Sequence, residues 1–67
     1  MIESEINRLT DSGIIVPEEI KQTFIAREKA IENMDFPNSS AETAKNANVC
    51  MMKVQIEMHK KYGHMVF

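Results

Sequence analysis

The sequence predicts an all-α chain whose short, medium and long helices form a small bundle, completed by pairing with a second copy. Three observations carry that expectation. Apolar residues recur at intervals of three and four in three segments, glycine and proline stand between them, and the chain has only 67 residues. A chain this short forms one domain, residues 1–67. It buries only about 60% of its unfolded surface, so its core calls for a supplement. A lone Cys50 rules out an internal disulfide, and one cysteine with two histidines is a poor set for structural zinc. Oligomerisation or docking on a partner is the supplement left.

The first helix spans about Ile2 to Asp11, with Ile2, Ile6 and Leu9 on one stripe. Gly13 is positioned to end it in the left-handed conformation. The link Ile14-Ile15-Val16 is too apolar for a free loop, and no second run is evident to pair with it as a strand. It reads as a tight, buried connection, with Ile15 stapled onto Ile20.

The second helix starts at Pro17, with Glu18 and Glu19 where the helix dipole favours negative charge. Ile20, Phe24, Ile31 and Met34 form its apolar face, and Phe36-Pro37 ends it. Arg27 falls inside that apolar arc. Either its stem lies on apolar surface with the guanidinium in solvent or on a nearby acid, or it is an interface or ligand-binding arginine. Glu28 and Glu32 lie on the wrong side of the helix to pair with it.

The third helix is the longest. Ser39 and Glu42 have capping-box spacing, and the pattern runs to Lys61 or Tyr62 before Gly63. The apolar tail His64-Met65-Val66-Phe67 is suited to folding back. This helix has two apolar stripes: Ala44, Ala47, Met51, Val54, Met58 and Tyr62 on one, and Val49, Met52 and Ile56 on the other. A helix burying a single face needs only the first. The second stripe therefore reads as the contact with another chain, a second copy or another protein, with Arg27 as a further contact. Alternatively, the first two helices wrap the third and cover both stripes. In the intermolecular reading, Met52→Glu or Ile56→Glu yields a folded or partly folded monomer. Asn48, Gln55 and His59 lie between the stripes, as a polar seam fixing register or as a solvated ridge.

Charge is unevenly spread. Residues 1–36 hold eight acids and four bases (−4); residues 37–67 hold two acids and four lysines (+2). Lys45, Lys53 and Lys60 share the outer side of the third helix, the best footprint for nucleic acid, although Glu42 and Glu57 share that side. No catalytic group is expected. Cys50 lies more than two turns from His59, Cys50 with His59 and His64 matches no zinc pattern, and Glu18-Glu19 and Glu28-Glu32 read as solvated. Asn38-Ser39-Ser40 matches a glycosylation sequon but reads as a helix start. No cofactor is implied. No apolar run approaches a membrane span, and a free cysteine without a targeting segment suggests the cytoplasm, or host cytoplasm if the gene is viral. The expected function is that of a small regulatory or accessory protein, not an enzyme, binding another protein through helix faces. The alternative is a nucleic-acid-binding helical dimer.

Overall fold

The computed structural model describes residues 1–66, and its described residues form three helices with no strand: α1 (Ile2–Asp11), α2 (Glu18–Asn33) and α3 (Asn38–Tyr62). The chain is all-α, as its periodicity implies. Gly13, at φ 86°, closes α1. Its N–H donates to the Thr10 carbonyl at 3.0 Å, and the Ile14 N–H donates to the Leu9 carbonyl at 3.0 Å. This pair of bonds satisfies carbonyls that a helix end otherwise leaves open. Gly63, at φ 82°, ends α3 in the same conformation and donates to the His59 carbonyl at 2.8 Å.

Both long helices begin one residue after a proline. Pro17 and Pro37 occupy the cap positions with φ of −57° and an extended ψ, and no side chain caps either helix. Ser39 therefore lies inside α3, and the expected capping box does not form; its carbonyl accepts the Thr43 hydroxyl instead, at 2.9 Å. At the other end, α2 stops at Asn33 with Met34 extended, ahead of Phe36-Pro37.

The core joins all three helices. Ile2 and Ile6 of α1, Val16 of the link, Ile20 and Phe24 of α2, and Met52 and Ile56 of α3 are buried together. Leu9, Ile14, Ile25, Val49 and Met65 pack around them. Each such aliphatic or aromatic side chain contributes about 2 kcal/mol on burial before entropic costs. Helix α2 runs antiparallel to α3, as the pairs Glu19 with His59 and Glu32 with Lys45 require. Helix α1 lies against both, tied by Ile2 to Glu28 and by Glu5 to Lys53.

The link differs from the buried connection expected. Val16 is buried and Ile14 half-buried, but Ile15 is 85% exposed, so it staples nothing. Extended backbone turns successive side chains to opposite sides, and with Ile14 and Val16 held inward the residue between them faces out. The tail folds back as far as the structure describes it. The Gln55 side chain accepts the Val66 N–H at 2.9 Å and donates to the Val66 carbonyl, while Met65 lies against Thr23. Phe67 lies outside the described residues.

Candidate functional site

Helix α3 presents three faces. One carries Asn48, Met52, Gln55 and Ile56 into the protein. A second, polar face points outward with Glu42, Lys53, Glu57 and Lys60. The third is the stripe Ala44, Ala47, Met51, Val54, Met58 and Tyr62, none of which belongs to the buried core. Met51 is 37% exposed, Val54 54% and Tyr62 51%, with Ala47 exposed and Met58 half-buried between them.

The two stripes have thus exchanged the roles expected of them. Met52 is fully enclosed, Ile56 is buried and Val49 packs half-buried against the core, so these three are not a free contact surface for another chain. The physical reason lies in the polar residues beside them. The Asn48 amide donates to the Phe24 carbonyl at 3.0 Å and its oxygen accepts the Arg27 Nε–H at 3.1 Å, while Gln55 clasps Val66. Every buried side-chain nitrogen or oxygen among the described residues has a partner. Burying an amide is costly only when its hydrogen bonds are lost. With those bonds supplied by α2 and the tail, the face with fewer apolar residues turns inward. His59, at the edge of this face, places Nε2 3.1 Å from a Glu19 carboxylate oxygen.

Arg27 sits where α2 meets the exposed stripe. Besides Asn48, it approaches the Met51 sulfur at 3.5 Å, and its guanidinium carbon lies 5.8 Å from the centre of the Phe24 ring. Its partner is indeed not an acid of its own helix, and its exposed head rims the stripe. Cys50 is exposed on the opposite edge.

The lysines are compensated. Lys45 lies 3.6 Å from Glu32, Lys53 3.1 Å from Glu5, and Lys60 3.7 Å from Glu57. Two of these acids belong to α1 and α2, so part of the positive charge on the C-terminal half is met by the acidic N-terminal half of the same chain. A surface with each lysine beside a carboxylate offers phosphates a weaker field than the sequence pattern suggests.

One polar residue was misplaced in the sequence. Glu28, expected on a solvated face, is buried. Both its carboxylate oxygens accept from the Ile2 N–H, at 3.1 and 3.2 Å, and the Met1 amino nitrogen lies 3.6 Å away. A signal was present: Glu28 follows Ile20 and Phe24 at steps of four, in phase with the buried side of α2. Among the described residues no three of His, Cys, Asp and Glu come together as a metal-binding group, and no helix is long and apolar enough to cross a membrane.

Comparison with known protein families, curated proteins and solved structures finds no match for this chain. The α3 stripe is consequently characterised by its own geometry. It is an apolar strip, part exposed and part half-buried, on the longest helix, with Arg27 on one side and Cys50 and Glu57 on the other.

Proposed function

We propose that this chain is a non-enzymatic binding protein, regulatory or accessory in kind and resident in the cytoplasm, that works by laying the exposed stripe of α3 against a helix of another protein chain. The observation that carries this reading is the placement of exposed Met51, Val54 and Tyr62 in one line, with half-buried Met58 between them, while α3 buries a different face. Apolar side chains scattered singly on a surface need no explanation, but a contiguous strip rimmed by polar groups is the pattern of an interaction surface. Residues separated by three and four along a helix are what a second helix meets when the two pack side by side. The methionines suit such a surface because flexible thioethers adapt to the shape of what they meet.

The test is a photo-reactive amino acid placed at Val54, with a control at Lys29 on the exposed side of α2, irradiated in cells that produce the protein. The reading expects a discrete adduct with a protein chain, foreign or identical, from position 54 and none from position 29. Absence of any adduct at position 54, or equal adducts at both positions, overturns it.

A further inference from the structure

Along α3 the exposed stripe changes in size. It starts with Ala44 and Ala47, passes through Met51 and Val54, and ends with Met58 and Tyr62. From Ala44 to Met58 the steps are three, four, three and four, the seven-residue repeat by which two helices mesh along a seam. Lys61 occupies the next seam position, and Tyr62 follows beside it.

Consider two copies of this stripe packed together. Side by side in the same direction, alanine meets alanine at one end and methionine and tyrosine meet their like at the other. The axes then have to splay, because interaxial distance follows the size of the residues at the contact. Lys61 also faces Lys61 across the seam, setting like charges opposite each other. In the antiparallel direction both difficulties vanish. A two-fold axis at the level of Met52 and Lys53 sets Met51 against the partner's Val54 and Ala47 against the partner's Met58. It also sets Ala44 against the partner's Lys61, whose aliphatic stem covers the alanine while its ammonium reaches solvent. Every layer then pairs a smaller with a larger side chain, and the axes stay evenly spaced.

From this complementarity of size, and from the separation of the two Lys61 side chains, we infer, resting on the reading of α3 as a docking surface, that the occupant of the stripe is a second copy of this chain, bound antiparallel about that axis. A strip one helix wide makes a small interface, so the pair is expected to form and separate with concentration.

The experiment is sedimentation of the purified chain over about a hundredfold range of concentration centred on the micromolar. The weight-average mass is expected to climb from one chain to two. The Val54→Glu variant is expected to stay largely one chain over the same range, at least tenfold weaker in self-association, with the far-ultraviolet circular dichroism of the parent and, where both are monomeric, its melting temperature. Orientation is read from paired spin labels at Glu42→Cys in a Cys50→Ser background. Helix rise and spacing give about 40 Å between labels for the antiparallel pair and roughly 25 Å for a parallel one. A parent that stays monomeric, a Val54→Glu variant that still dimerises, or the shorter label distance overturns the inference. If the parent is monomeric, an adduct with a foreign chain from position 54 leaves the docking surface standing with a different occupant. No adduct there removes both readings.

Discussion

A carboxylate turned into a helix interface costs free energy unless hydrogen bonds replace the water it loses. Glu28 meets that condition through the Ile2 N–H, one of the orphan donors at the start of α1, where the helix dipole also favours negative charge. Glu28→Ala leaves that N–H buried without an acceptor and should lower the unfolding free energy by about 1–3 kcal/mol in urea titration. Glu28→Gln retains an acceptor and should recover part of the loss. Glu28 was hard to recognise because its phase says buried while its charge says exposed, and the deciding partner is a backbone group 26 positions away. Gly13 and Gly63, by contrast, were legible because a left-handed helix end is a local requirement that glycine meets at least cost. The Ser39–Glu42 spacing misled for the same local reason. Pro37 admits helical backbone directly after itself, which leaves Ser39 no cap to make.

Among the elements, the long helix offers the sharpest contrast. Its extent and its two apolar stripes were readable from spacing, but counting apolar residues assigned the wrong stripe to the protein's own interior. Asn48 and Gln55 decided the matter, and their partners are the Phe24 carbonyl and the Val66 peptide, which no helical period reveals. The expected behaviour of variants reverses accordingly. Met52→Ala should cost about 2–5 kcal/mol by opening a cavity in a fully enclosed site, and Met52→Glu or Ile56→Glu should unfold the chain instead of releasing a folded monomer. Val54→Glu, on the exposed stripe, should leave monomer stability within about 0.5 kcal/mol of the parent. Thermal and urea unfolding followed by circular dichroism, at concentrations too low for self-association, separates the two sets.

Over the whole molecule, the opposite charges of the two halves find each other. Lys45 with Glu32 and Lys53 with Glu5 cross from α3 to α2 and α1, so the imbalance that suggested a nucleic-acid footprint is partly spent inside one chain. The imbalance was visible in the sequence; its internal destination was not, since that depends on which side of α3 the acidic helices occupy. Replacing Lys45, Lys53 and Lys60 together with glutamine should lower stability by about 1 kcal/mol at low salt and by less at high salt, because exposed pairs are individually weak and screened. Urea titrations at the two ionic strengths give the comparison.

The bond from Ile2 to Glu28 also sets an order of events in time. A helix of ten residues is too short to persist alone in water, so α1 depends on what it docks against. The group that holds its first turn sits on α2 and is in place only once that helix has formed. On that ground the α2–α3 hairpin is expected to come together first and α1 to close over it last, with the same arm opening first when the protein breathes. Native-state hydrogen exchange should record this as a lower-energy opening for the Ile6–Asp11 amides than for Met52–Ile56, with Gly13–Val16 serving as the hinge on which the arm swings.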